Sequence, residues 1–243
     1  NIPFRTKARE EAMKSDSAIF SFIENFPTSA SLKTADTGKY IANNIHNSIQ
    51  FGIKNPKDLE GLTIQDVKFN QKDWGIRYAQ LIQDLDRSAR ENKSHVMGRH
   101  QFLDDCGEAQ VEEMIKFPIL GSRGNILGIV TYRNDITRAL PPIEIYRLNR
   151  GFYGASESIN RVLIYFGIEK YFFAPLTDAQ IQVFLLKSER LTNKEISRLL
   201  GISDRTVECH CAALRSKIID GNLPYILSLV KGSFSCDQNL DKL

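Results

Sequence analysis

The 243-residue sequence predicts an α+β chain: an N-terminal antiparallel sheet with flanking helices, a helical connector, and an all-α C-terminal domain. Three observations predict it. Residues 28–133 contain five short strand-like runs in the order two strands, helices, three strands. That order lacks the strict strand–helix alternation of a parallel sheet. From residue 176 the apolar spacing changes to three and four, the period of a helix.

Composition sets the bounds. With 42% hydrophobic and 25% charged residues, the chain has room for two cores of about 100 residues each. A net charge of +3 is mild, so binding to a polyanion must come from a local cluster of basic side chains. No apolar run approaches the roughly 20 residues that cross a bilayer. The segments ILGIVTY (126–132) and YILSLV (225–230) are of strand and helix-stripe length, and no membrane partner is expected. The start, NIPFRTKAREEAMK, has basic residues but no apolar segment after them, which argues against a secretory signal, and its lack of Met suggests a trimmed chain. The four cysteines, 106, 209, 211 and 236, form no repeated pair spacing. Free thiols in a reducing compartment follow, and a cytoplasmic location is expected.

Taken in order, residues 4–26 have a helical pattern that Pro27 stops. Residues 28–42 read as a hairpin, with Ala30 and Leu32 alternating on one strand, Tyr40 and Ala42 on the other, and Asp36-Thr37-Gly38 at the turn. Asn43 is placed to cap a helix over 44–52, and a longer helix follows Trp74, with Ile76, Ala79, Leu81, Ile82 and Leu85 on one side. Strands return at 95–102, 110–120 and 126–133, the last apolar on both faces and so expected at the centre of the sheet. Residues 139–175 form the connector. Its Ile159, Val162, Leu163 and Phe166 make one helical face, for packing on the N-terminal sheet or on a second chain.

Three segments carry a resemblance. KTADTGKYIANNIHNSI (33–49), LEGLTIQDV (59–67) and FPILGSRGNILGIVTYRNDIT (117–137) look like pieces of a PAS domain, which implies a sensory or dimerising module over residues 1–138. A PAS-like arrangement places any ligand cavity between sheet and helices, and Asn43, His46, Arg99 and Tyr132 are its candidate polar borders because they lie in or beside those segments. Side chains such as Phe102, Ile115, Phe117, Ile119, Ile126, Leu127 and Ile129 could equally fill that space and leave a dimerisation module. Haem could use His46, His95 or His100; flavin photochemistry would need a cysteine after the first hairpin, and none lies between residues 1 and 105.

The C-terminal signals are sharper. Leu176-Thr177 opens one helix, Thr192-x-x-Glu195 is a capping box for a second, Gly201 makes a turn, and Ser203 caps a third. On the third helix Val207, Cys211, Leu214 and Ile218 point inward together. The opposite face carries Arg205, Cys209, Ala212 and Ser216, with Glu208 and Arg215 at its edge and His210 packing locally. Neighbours on a helix diverge by about 100° per residue, so Cys209, His210 and Cys211 cannot share a metal ion. No nucleophile, base and orienting acid stand at convergent spacing, and neither a catalytic nor a metal site is expected.

Two short helices about a glycine turn make a helix-turn-helix. LTDAQIQVFLLKSERLTNKEISRLLGISDRTVECHCAALRSKI resembles the LuxR-type DNA-binding domain in Leu176-Thr177, Asn193-Lys194-Glu195-Ile196, Ile202-Ser203, Thr206-Val207, His210 and Lys217. It departs in having Arg190 where the family usually has Gly and Ile218 for the usual Leu. The resemblance implies that Glu208, Cys209 and Ala212 face base edges, and that Lys194, Ser203, Arg205, Thr206 and Lys217 hold the phosphate backbone; Lys194 and Lys217 are otherwise merely solvated. From Asn222, LPYILSLV gives a fourth helix with Ile226, Leu229 and Val230 on one side, and the resemblance implies that this helix makes a dimer contact. The sequence therefore predicts a cytoplasmic bacterial transcription regulator, not an enzyme. It would bind duplex DNA as a homodimer through residues 176–243, with an optional small-molecule ligand in residues 1–138 and no required cofactor. Its competitors are a protein-interaction module and a haem or flavin redox sensor with a helix-turn-helix output.

Overall fold

The computed structural model describes residues 17–235, so the expected helical stretch before residue 17, and Cys236, lie outside the described residues. Two compact units divide at Ile136/Thr137. In the N-terminal unit, helix α1 (Ser17–Glu24) precedes the hairpin β1 (Ser29–Thr34) and β2 (Tyr40–Asn43). Helices α2 (Ile45–Gln50) and α3 (Lys72–Asn92) follow, then β3 (Val96–Leu103), β4 (Ala109–Leu120) and β5 (Ile126–Asp135).

The five strands form an antiparallel sheet in the order β2-β1-β5-β4-β3, which puts β5 in the middle, as its two-sided apolar pattern predicts. Gly38 turns the hairpin at φ +69°, a left-handed conformation that costs a glycine nothing. The α2 cap is one residue later than expected. Asn44, not Asn43, accepts from Asn47 N–H (3.0 Å), while Asn43 stays in β2 and donates to the Pro56 carbonyl (2.6 Å).

Register fixes which side chains face which side. Ser29, Ser31 and Lys33 of β1 stand opposite Arg133, Thr131 and Ile129 of β5, and Lys116 and Met114 of β4 lie beyond them. This face turns toward α3. Ile82, Tyr78 and Phe102 pack there with Phe51, Leu59 and Met114. The other face carries Ala30, Leu32 and Val130 against Ile23 of α1, with Phe117, Ile119, Leu127 and Tyr132 beside them. Strand alternation thus sends Phe117, Ile119 and Leu127 away from the interior they were expected to fill, and brings Lys33, Lys116 and Arg133 into it.

In the C-terminal unit, α4 (Pro142–Arg150) and α5 (Ala155–Tyr165) lead to α6 (Asp178–Ser188), α7 (Asn193–Leu200), α8 (Asp204–Arg215) and α9 (Leu223–Ser235). The connector's apolar face takes neither of the two expected partners. Ile159, Val162, Leu163 and Phe166 lie in one core with Ile181, Phe184, Val207 and Leu214. Polar contacts fasten the same joint: the Tyr146 hydroxyl donates to Asp178 Oδ1 (2.5 Å), and Glu189 accepts from Ile143 N–H (3.1 Å). No helix among the described residues is long and apolar enough to cross a membrane.

Candidate functional site

The helix-turn-helix is built from its caps inward. Thr192 Oγ1 accepts from Glu195 N–H (3.3 Å) while the Glu195 carboxylate accepts from Thr192 N–H (2.7 Å), closing the capping box that starts α7. Those bonds hold the Glu195 carboxyl below its ordinary pKa. Gly201 ends α7 at φ 66°, and Ser203 Oγ accepts from Thr206 N–H (3.0 Å) to start α8. Ile196, Val207 and Leu214 are fully buried and fix the crossing of the two helices.

That packing leaves one face of α8 exposed: Arg205, Glu208, Cys209, Ala212, Arg215 and Ser216. Val207, Cys211 and Leu214 are buried behind it, so Cys209 and Cys211 point to opposite sides of the helix. Lys194 is exposed at the start of α7, and Ser203 is exposed at the turn. Thr206 is half-buried with its hydroxyl paired to Ser203 Oγ (2.8 Å), so both hydroxyls already serve the cap.

Lys217 sits differently from its expected role. It is half-buried, and its ammonium donates to the Pro175 carbonyl (2.6 Å) and to Gln180 Oε1 (2.9 Å), tying the end of α8 to the start of α6. An amine committed to two oxygens within its own fold is a poor phosphate clamp. Arg198 of α7 and Arg215 at the end of α8 are exposed cations not among the expected phosphate contacts. Arg215 is legible from its seven-residue spacing from Glu208, and Glu208 and Arg215 border one groove of about 300 Å³ with Asn193.

The four side chains expected around a ligand do not converge. Asn43 is buried and bonded, whereas His46 is exposed on α2. Arg99 is exposed on β3 and pairs with Glu113 (3.2 Å), and Tyr132 packs on Phe26 on the far face of the sheet (ring centroids 5.4 Å). Both miss because strand parity sends them away from the α3 side. Of the three histidines considered for haem, His46 and His95 are exposed, and His100 lies on the inner face 3.3 Å from Glu112.

The interior holds what sequence reasoning missed. Arg133 donates to Tyr78 Oη (2.9 Å), Ser29 Oγ (2.9 Å) and Asn47 Oδ1 (2.7 Å), and pairs with Glu112 (3.3 Å). Lys33 and Lys116 share the Asp86 carboxylate at 3.1 and 2.5 Å. Burial pushes Lys116 down to about 8, aided by repulsion from Lys33 and Arg133 and opposed by Asp86. Burial alone would raise the Asp86 and Glu112 carboxyls, but the cations beside them outweigh it and hold both below their ordinary values. Only about 10 Å³ is left open among these side chains, room for one water.

Comparison with known proteins agrees with this architecture. Residues 174–226 match the model of the luxR family of bacterial regulatory proteins. The fold is similar to that of the Vibrio cholera VqmA–ligand–DNA complex, at 22% identity over 88% of this chain and 87% of that one, with a TM-score of 0.53. It is similar also to the phage VqmA–DPO complex, at 20% identity over 94% and 92% of the two chains, with a TM-score of 0.52. No curated protein is a significant match.

Proposed function

We propose, from the LuxR-type helix-turn-helix that residues 174–226 form, that the chain is a bacterial transcription regulator that binds duplex DNA as a dimer, under control of a small molecule held by its PAS-like N-terminal unit. It acts in the cytoplasm and without catalysis of its own. The observation that carries this reading is the exposed stripe of α8, where Arg205, Glu208, Cys209 and Ala212 stand free of the core while Val207 and Leu214 anchor the helix from behind. Such a helix enters the major groove, and its side chains suit that role: Glu accepts from cytosine N4, Ala and Cys touch a thymine methyl, and Arg neutralises phosphate. The two solved structures of similar fold support ligand control of DNA binding, one being a complex with ligand and DNA and the other a complex with DPO.

Gel-shift titration of the full chain on a genomic fragment pool at two ionic strengths tests it. Affinity should fall steeply with salt as phosphate contacts release counterions. Selection from a random duplex library should then give a changed motif for Glu208→Arg and an unchanged motif with weaker binding for Lys194→Ala. Binding that is absent or insensitive to salt would replace this reading with a protein-interaction module.

A further inference from the structure

A second cavity, of about 560 Å³, opens on the N-terminal unit between the start of β1, the end of α2 and the β3–β4 turn. Its size is that of a small-molecule site. Three of the residues that line it each hold a side-chain atom that is shielded from solvent and finds no hydrogen-bond partner among the described residues: Thr28 Oγ1, Gln50 Oε1 and Gln110 Oε1. A buried polar atom without a partner is costly, and its presence in a cleft points to a group that fills the gap.

The two amides are not free to turn. Gln50 spends its NH2 on Glu112 Oε1 (2.7 Å), and Gln110 directs its NH2 at Asp104 Oδ2 (3.4 Å). A carboxylate only accepts, so each amide must keep its nitrogen there and its oxygen on the other side. The site therefore offers acceptors. Its charge has the same sense: Asp104 and Asp105 border it against Lys54 at the rim, while Arg133 on its lining is matched by Glu112. Pro27, Ile49 and Ile53 supply an apolar wall.

We infer that this cleft binds a small primary amine, its ammonium donating to Gln50 Oε1, Gln110 Oε1 and Thr28 Oγ1 and its hydrocarbon body lying along Ile49 and Ile53. The inference rests on the ligand-controlled reading above and names the ligand's chemistry and its seat. An ammonium group carries three donors and no acceptor, which matches two orphaned amide oxygens, a hydroxyl oxygen free to turn its lone pairs inward, and the carboxylates of Asp104 and Asp105 at the border. Ligation here reaches the interior directly, because Gln50 and Arg133 each touch Glu112.

The test is calorimetric titration of the full chain with 2-phenylethylamine, cyclohexylamine and cadaverine, alongside the matching alcohols and carboxylic acids. At least one amine should bind and raise the melting temperature, and its alcohol and acid should bind tenfold or more weakly. Gln110→Met and Thr28→Val, which keep side-chain volume and remove an acceptor, should each weaken the amine at least tenfold while Arg99→Gln leaves it unchanged. No binding by any amine, equal binding of the alcohols and acids, or unaltered affinity in both acceptor variants overturns the proposal. A gel shift with and without the amine separates it from the reading beneath it. Amine binding that leaves DNA affinity unmoved upholds the site and removes ligand control, whereas loss of DNA binding in every condition removes the regulator reading alone.

Discussion

The two units enclose interiors of opposite chemistry. Behind α8 the C-terminal unit buries Ile181, Val183, Phe184 and Leu185 completely, with no charge among them. Under α3 the N-terminal unit buries Lys33, Glu112, Lys116 and Arg133 to within 3% of full enclosure. The difference teaches how each unit can fail. An apolar core loses stability in proportion to the area and volume removed. A buried ionic network is favourable only while every member keeps its partner, since one unpaired charge costs more than the intact pair contributes.

The largest effect should therefore come from breaking the network and then mending it. Glu112→Ala leaves Arg133 without its carboxylate and should cost about 3–5 kcal/mol in the N-terminal unit. Adding Arg133→Met to that background removes the orphaned charge and should restore more than half of the loss. Phe184→Ala should cost about 3–5 kcal/mol in the other unit, with no comparable single rescue. Denaturant unfolding resolves these, because the sole tryptophan, Trp74, reports on the N-terminal unit alone, and circular dichroism follows the helices. A double variant no better than Glu112→Ala would show that Glu112 acts through packing and not through charge.

The same contrast explains what the sequence revealed. The C-terminal elements were legible because caps and apolar spacing are local. Thr192, Glu195, Gly201 and Ser203 mark their own helix ends, and the 207/211/214 spacing points inward whatever the neighbours are. Strand existence and the central place of β5 were legible for the same reason. What could not be read was which face of the sheet turned toward α3. Alternation says that Lys116 and Phe117 point opposite ways, and the usual rule sends the lysine to solvent. Here α1 covers the Phe117 face, and Asp86, delivered from α3 some thirty residues before Lys116, makes the lysine's burial tolerable. Pairing across the fold is a long-range fact with no local signature. Arg99 and Tyr132 were misplaced by the same missing information, and Lys217 by a contact to Pro175 and Gln180 on another helix.

A titration sharpens the comparison at intermediate size. Asp86 and Glu112 are held below their ordinary values of 3.8 and 4.5, so their contribution is full above those values and is lost as pH falls through the depressed ones. The N-terminal transition should weaken on acidification. Glu189 of the C-terminal unit, raised by burial despite the Ile143 amide, shifts the other way and should resist the same change. On the alkaline side Lys116 has the reverse sign. Its folded value of about 8 lies below the unfolded 10.5, so the burial cost is complete below 8 and relieved as pH climbs toward 10.5. Thermal midpoints followed at Trp74 should fall below pH 4.5 and rise from pH 8 to 10. A flat alkaline limb would mean that Asp86 keeps Lys116 charged throughout.

The smallest effect concerns backbone alone, at two turns of the C-terminal unit. Arg190, where the LuxR family usually has glycine, holds φ at 68°, and Gly201 holds 66° at the next turn. The left-handed region costs a residue with a Cβ about 1–2 kcal/mol, and nothing lies within 4 Å of a Cβ built on Gly201, so sterics with neighbours play no part there. Gly201→Ala should then lose about 1 kcal/mol through the backbone. Arg190→Gly should gain about 0.5–1 kcal/mol, the relief of strain being partly offset by the greater freedom of glycine in the unfolded chain. Arg190 is exposed, its amide bonds the Lys187 carbonyl (3.0 Å), and that bond survives the change. Melting temperatures of the two variants should move in opposite directions by a few degrees. If Arg190→Gly instead leaves the melting point unchanged and weakens binding to all duplexes alike, the strained arginine is retained for contact with phosphate, and the interface extends to the turn before α7.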